Sequence, residues 1–431
     1  MSEKVIKLGL LGLGVVGSGT IEILRNNREQ ITNQLGASLE VSKVLVRDVA
    51  KARSVSVEGL QLTQDPNDIL EDPEIDIVVE VMGGVEMARQ YITQALKNKK
   101  HVVTANKDLM AQHGTELLQL AEETKSGLYY EASVGGGIPI IRPLKHSLSA
   151  NEIQSVMGII NGTTNYILTQ MSVGKKEFAD ALKEAQEKGF AEQDPSSDLQ
   201  GRDAAYKLAI LSRLAFHGNV SVDQIYTESI ENITLRDIQY AEDLGYVIKL
   251  LAIAEKNNGS LALRVHPTLV HKYHPLASVS NEFNAIWVNG DAVGEVMFYG
   301  RGAGSLPTGS AIVSDIIGIA RRIINGVENN VIEAWSRDLD VLPMTELKSR
   351  FYVRIQAIEQ PGVFAALATA FADEEISLDR ILQKFGDDNV PEIVLITHHV
   401  KEANFYRALN RINALPSIQE ISNVIRVLER S

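Results

Sequence analysis

The sequence predicts an α/β protein whose first part is a Rossmann-type doubly wound parallel sheet. Three observations carry that expectation. Apolar strand patterns alternate with helical ones from Val5 to about residue 132. A Gly-x-Gly-x-x-Gly run, Gly12, Gly14 and Gly17, stands between the first strand and the first helix. From Phe351 the pattern restarts as β-α-β-β-α-β, the ferredoxin-like arrangement. At roughly 100–200 residues per domain, 431 residues allow two to four domains.

Val5 to Leu11 reads as a buried strand, Val15 to about Gln34 as a helix and Val41 to Val46 as a second strand. Asp76–Val81, His101–Thr104 and Leu128–Ala132 read as further strands. Helices are expected at Val85–Lys97 and Asp108–Lys125. The nucleotide-binding domain is thus expected over 1–143, with a helix at 303–326 returning to it. A second, α+β domain for catalysis and oligomerisation is expected over 144–302, with strands EIQSVMGII, LALRVHPTLV and AIWVNG. Residues 327–348 read as a linker and 349–431 as the ferredoxin-like unit.

Composition narrows the function. Hydrophobic residues make up 45 % and charged residues 23 %, ordinary for a globular chain. There is no cysteine, which removes disulfides, thiolate-held metals and thiol nucleophiles. The net charge of −13 argues against a nucleic-acid surface. No apolar run approaches the ~20 residues of a membrane helix. The start, MSEKVIKLGLLGLG, passes into a strand and a glycine loop rather than a leader, so a cytoplasmic protein is expected.

The loop Gly12–Leu13–Gly14–Val15–Val16–Gly17 suits a dinucleotide, because glycines permit close backbone approach and the helix N-terminus faces the pyrophosphate. At the tip of the second strand Arg47 favours NADP(H), through its 2′-phosphate; the neighbouring Asp48 leaves NAD(H) open. Met157–Tyr166 (MGIINGTTNY) offers N–H and hydroxyl donors at the start of a helix, for a carboxylate or simply as a cap. FAEQDPSSDLQGRDAAYKLAIL carries Glu192, Asp194, Asp198 and Asp203 ahead of Lys207. Asp203 and Lys207 share a helix face, as a surface ion pair or as a working pair. Lys207 interrupts an otherwise apolar stretch.

These residues resemble the homoserine dehydrogenase family. The likeness rests on GLLGLGVVGSG, VVTANKDLMA, EASVGGGIPII, NGTTNYIL, AEQDPSSDLQGRDAAYKLAIL and FYGRGAGSLPT, in that order, and the terminal unit resembles an ACT domain, as in the family's long, monofunctional form. The resemblance implies NAD(P)-dependent interconversion of L-aspartate 4-semialdehyde and L-homoserine, toward threonine and methionine. It implies that Glu192 binds the substrate ammonium with help from Asp198, that Asp203 orients the site, and that Gly162 and Thr163 meet the polar end. Lys207 is the implied general acid, with Lys107 of the ANK motif near cofactor and substrate, and Gly302 in the loop by the cofactor. Glu131 with the carbonyls of Val134, Gly136 and Ile138 resembles the family's monovalent-cation site, suited to Na⁺ or K⁺; a bare glycine turn is the other reading. A homodimer or homotetramer and an amino-acid effector, L-threonine, are implied partners. Two positions depart from the family pattern. Arg301 lies inside the GRGAG loop, where some relatives carry proline, and Glu359 precedes the ACT turn's Pro-Gly. A phosphorylating aspartate-semialdehyde dehydrogenase needs a cysteine nucleophile and is excluded by its absence. A nucleotide-sensing regulator would leave Lys107 and the Glu192–Lys207 segment without purpose.

Overall fold

The computed structural model describes residues 4–327, 337–385 and 391–429; residues 328–336 of the expected linker lie outside them. Along the chain come β1 (Lys4–Leu11), α1 (Val15–Asn26), α2 (Arg28–Leu35), β2 (Ala37–Leu45), β3 (Gln61–Thr63), α3 (Asn67–Leu70), β4 (Ile77–Glu80), α4 (Glu86–Lys97), β5 (His101–Thr104), α5 (Lys107–Glu123) and β6 (Leu128–Tyr129). Then follow β7 (Ile153–Ile159), α6 (Gly162–Val173), α7 (Phe178–Glu187), α8 (Ser196–Leu199), α9 (Arg202–Phe216), β8 (Tyr226–Thr227), α10 (Leu235–Asp243), β9 (Tyr246–Asn257), β10 (Ser260–His271), β11 (Phe283–Gly290), β12 (Gly294–Arg301) and α11 (Ser305–Asn325). The last part holds β13 (Lys348–Ala357), α12 (Val363–Ala372), β14 (Leu378–Phe385), β15 (Pro391–Thr397), β16 (Val400–Lys401), α13 (Glu402–Asn413) and β17 (Ile418–Val427).

Two compact units result. The first comprises Met1–Val156, Tyr206–Asp223 and Asn284–Leu339; the second comprises Met157–Ala205, Gln224–Phe283 and Asp340–Ser431. In the first, six strands pair in the order β3-β2-β1-β4-β5-β6, all parallel. The chain runs outward from β1 to β3 and then crosses to β4. The C-terminal ends of β1 and β4 therefore border a switch point, where such sheets open a crevice for ligands. Strand β1 is buried along its second half because helices cover both sheet faces. Helix α11 packs along α1, and Ile312, Ile316 and Ile319 join Ile21 and Leu24 in one core. The approach is close: a Cβ on Gly309 would lie 2.9 Å from the Gly19 carbonyl carbon.

The expected helix from Val15 to about Gln34 is broken at Asn27, whose φ of −106° and ψ of 17° leave the helical range. Asn competes for its own backbone, which favours such a break. The strand expected at Leu128–Ala132 stops at Tyr129, and Glu131–Ser133 coil into a 3₁₀ turn.

In the second unit β9 and β10 form a long antiparallel hairpin, closed by Asn258 and Gly259, both at positive φ (50° and 94°), the pattern of a type I′ turn. The ferredoxin-like strands pair as β17-β13-β15-β14, and Phe351 stacks on Phe405 with ring centroids 3.6 Å apart in their core. Among the described residues no helix is long and apolar enough to cross a membrane.

Candidate active site

Strand β1 delivers Gly12 into the crevice. Gly12 has φ +105°, and a Cβ there would lie 2.9 Å from the Val81 carbonyl oxygen, so only glycine fits. A Cβ on Gly17 would sit 2.6 Å from the Gly12 oxygen, while Gly14, at the N-cap of α1, has nothing within 4 Å. The first turn of α1 carries neither an acidic residue nor a side-chain cap, leaving its N–H groups for an anion. A cavity of about 690 Å³ opens there, lined by Gly12, Leu13, Gly14, Val15 and Arg47, and by Met82 and Gly83 after β4. The size and the bare helix end fit a dinucleotide. Val16 and Gly17 shape the loop from beneath and do not line the cavity.

Around the tip of β2, Arg53 donates to the carbonyls of Asp48 and Lys51. The Asp48 carboxylate accepts the Ala50 N–H at 2.8 Å. Both are thus spent on folding their own loop. Arg47 is exposed at the cavity edge.

Lys107 opens α5 on the turn after β5, half-buried. Its neighbour Asn106 caps the helix, accepting the Leu109 N–H at 3.1 Å and donating to the Gly84 carbonyl at 2.6 Å. Lys207 is half-buried on α9. Further along α9, Arg213 donates to the α5 carbonyls of Met110, at 2.9 Å, and Ala111. Thr115 donates to the Asn219 Oδ1 at 2.9 Å. Arg213 thus ties the helix that bears Lys207 to the first turn of the helix that Lys107 opens.

In the second unit Asn161 caps α6 by accepting the Thr164 N–H at 2.9 Å. Its amide donates to Asp198 Oδ1 at 2.7 Å and Asp203 Oδ2 at 2.8 Å. The capping alternative for this segment therefore holds for Asn161, and what it gathers is a pair of carboxylates. The Thr163 hydroxyl donates to the Phe190 carbonyl at 2.7 Å, so Gly162 and Thr163 are left with backbone donors. Glu192 is exposed on the following loop, where its carbonyl accepts from Gln186 at 3.1 Å. Asp194 caps α8 through Ser196, and those hydrogen bonds hold its carboxyl below the usual range.

Glu131 is buried, at 4 % exposure. Its Oε1 accepts the N–H groups of Ile140 (2.6 Å) and Ile141 (2.8 Å), and its Oε2 that of Arg142 (2.8 Å). Only Oε2 keeps room for another ligand, so a cation here would rest chiefly on main-chain oxygens. Val134, Gly136 and Ile138 are buried as well. The backbone N–H of Glu131 bonds Asp315, which Arg142 also meets at 2.9 Å. Burial pushes the Asp315 carboxyl up to about 7, with Arg142 opposing and Glu131 adding to the rise. Gly137 donates to the Arg301 carbonyl at 3.1 Å. A Cβ on Gly302 would overlap the Asn284 side chain at 2.0 Å. Gly302 thus serves loop packing and is not part of the cavity lining.

Sequence reasoning passed over Asn106, Arg213 and Glu80, and read Asn161 only as part of a capping segment. Two of these carried a signal: Arg213 interrupts an apolar helix as Lys207 does, and Glu80 interrupts the apolar run DIVVEV.

Comparison with known proteins bears on the family and its domains. Residues 12–131 match the homoserine dehydrogenase NAD-binding domain, 139–317 the homoserine dehydrogenase family and 351–417 the ACT domain. A homoserine dehydrogenase of Synechocystis is 47 % identical over 98 % of this chain and 99 % of its own. The crystal structure of a homoserine dehydrogenase from Thiobacillus denitrificans superposes with a TM-score of 0.94 at 44 % identity, covering 99 % of both chains. A mutant hyperthermophilic archaeal homoserine dehydrogenase in complex with NADPH superposes with a TM-score of 0.63 at 28 % identity, over 73 % of this chain and 97 % of that one. A Rossmann crevice with a glycine loop and likeness over nearly the whole length give one answer: the chain belongs to the homoserine dehydrogenase family, NAD(P)-dependent oxidoreductases, and carries an ACT domain.

Proposed function

We propose that this enzyme reduces L-aspartate 4-semialdehyde reversibly to L-homoserine, with NADPH preferred to NADH, in threonine, methionine and isoleucine biosynthesis. The observation that carries the reading is the tie from Arg213 of α9 to the Met110 and Ala111 carbonyls in the first turn of α5. It joins the helix that bears Lys207 to the helix that Lys107 opens, on the turn that leaves the C-terminal edge of the sheet.

The reduced nicotinamide, when bound, supplies the hydride. The chain's own groups do the rest. Lys207 holds an N–H against the aldehyde oxygen, and as the carbonyl π pair moves onto that oxygen it gives up its proton, leaving a neutral amine and an alcohol. Lys107 adds a second positive charge to the same region. Glu192 and Asp198 hold the ammonium of the substrate, and the backbone N–H groups of Gly162 and Thr163 its carboxylate. Asp203 orients Asn161, to which it is hydrogen-bonded.

Preference for NADPH rests on Arg47 at the cavity edge and on Asp48 being turned to its own loop. The archaeal relative in complex with NADPH supports it. The carbonyls of Val134, Gly136 and Ile138, with Glu131, would hold a Na⁺ or K⁺ ion. The ACT unit reads L-threonine, and the enzyme works in the cytoplasm as a homodimer or homotetramer. Initial rates of reduced-nicotinamide loss with aspartate semialdehyde, titrated with both cofactors, test the reading. Turnover with a higher kcat/KM for NADPH is expected. No turnover contradicts the substrate, and a preference for NADH contradicts the role of Arg47.

A further inference from the structure

Glu80 ends β4 wholly buried, at 0 % exposure, and no step above uses it. Its Oε2 accepts the Thr104 hydroxyl at 2.7 Å and its Oε1 the Met82 N–H at 2.8 Å. Gly83 N–H and the Asn106 side chain also bond to it. Burial holds the carboxyl above its ordinary value, against these hydrogen bonds. The Thr104 hydroxyl has one proton, which goes to Glu80, so its oxygen accepts the Asn106 N–H at 3.0 Å. Asn106 then donates to Gly84 at 2.6 Å and caps α5, on which Lys107 is the first residue.

Two parts of the site meet at this one carboxylate. The turn after β4, with Gly83 and Gly84 both at positive φ (75° and 78°), lines the cofactor cavity with Met82 and Gly83. The turn after β5 carries Lys107. We propose that Glu80 is a positioning residue that locks the cofactor-facing turn 82–84 to Lys107 through Thr104 and Asn106. This rests on the reading of Lys107 as part of the reducing machinery. A carboxylate suits the task because it accepts from all sides. An amide in its place offers one acceptor oxygen. Its NH₂ either faces the Met82 N–H, donor against donor, or forces the Thr104 proton to find another acceptor.

The test is a double-mutant cycle of Glu80→Ala and Glu80→Gln with Lys107→Ala. It is read as kcat, as NADPH affinity by nucleotide fluorescence and as thermal unfolding. Misplacement of catalytic groups by about 1 Å costs up to ~100-fold, so Glu80→Ala is expected to lower kcat about ten- to hundred-fold, with Glu80→Gln in between. In the Lys107→Ala background the same changes should lower kcat less than about three-fold, because the group they misplace is gone. Should Glu80→Ala fail to fold, the cycle stands on Glu80→Gln. Equal losses in both backgrounds, or an unchanged kcat, overturn the role of Glu80. A Lys107→Ala enzyme with wild-type kcat overturns the lysine reading itself.

Discussion

In the proposed mechanism the chemistry turns on Lys207 and the choice of cofactor on Arg47. A charge-assisted hydrogen bond from Arg47 to the 2′-phosphate is worth roughly 1.5–3 kcal/mol. Arg47→Ala should therefore raise the KM for NADPH about ten-fold or more and leave NADH nearly unchanged; equal effects on both in steady-state kinetics contradict the assignment. Both residues were legible in the sequence, one as a cation at the tip of the second strand, the other as a charge in an apolar helix. The Asn161 cluster was not, because Asp198 and Asp203 lie 37 and 42 residues away. Only folding brings one amide to two carboxylates. The donors that the segment offers on paper are half consumed by its own cap.

At the scale of elements, α6 is held from below by a buried lysine. Lys249 of β9 donates to Asn165 at 3.2 Å and to the Val279 carbonyl. Asn165 in turn donates to the Asn281 and Phe283 carbonyls at 2.9 and 3.0 Å. Burial lowers the Lys249 ammonium to about 8 from its ordinary 10.5. Between those values the unfolded chain holds a proton that the folded one has released, so stability rises with pH there. At about 1.4 kcal/mol per pKa unit, the penalty should fall by roughly 1.4 kcal/mol from pH 7 to pH 9. Urea unfolding of wild type and Lys249→Met at both pH values should show the wild type gaining that much on the variant; a constant difference contradicts it. The pairing of α1 with α11 is as specific. Gly309→Ala should cost about 1–3 kcal/mol, as backbone rather than a flexible side chain has to yield, and thermal unfolding should register the loss. The alternation of strands and helices showed these elements in the sequence. It did not show the break at Asn27 or the short β3, since a three-residue strand has too little pattern to read.

For the molecule as a whole, the ferredoxin-like unit is built into the second compact body. Strand β17 pairs in parallel with β10, at Thr268–Arg426 and Leu269–Val427. Arg354 of β13 bonds Asp237 of α10 at 2.8 Å and Glu392 of β15 at 3.0 Å, all three buried. Asp237→Ala takes one of the two carboxylates that neutralise Arg354 and leaves it only Glu392; breaking a buried pair costs about 3–5 kcal/mol, and a shift near zero in the denaturation midpoint contradicts this. Removing the chain beyond Asp340 would likewise expose the edge of β10, so a threonine response is best sought by calorimetry on the full chain. The βαββαβ order of this unit was plain in the sequence. Its joining to β10 was not, because strand order does not reveal which edge is covered.

The central claim is that Lys207 supplies the proton for reduction at the Rossmann crevice. Single-turnover loss of reduced-nicotinamide absorbance, with Lys207→Ala beside the wild type, tests it most directly. A general acid contributes typically ~10²–10⁴-fold. The variant should bind NADPH with near-native affinity and turn over at least about a hundred-fold more slowly. Lys207→Arg should restore little, since guanidinium holds its proton too tightly. A Lys207→Ala enzyme that reduces the aldehyde at near wild-type rate contradicts the account and passes the role to Lys107.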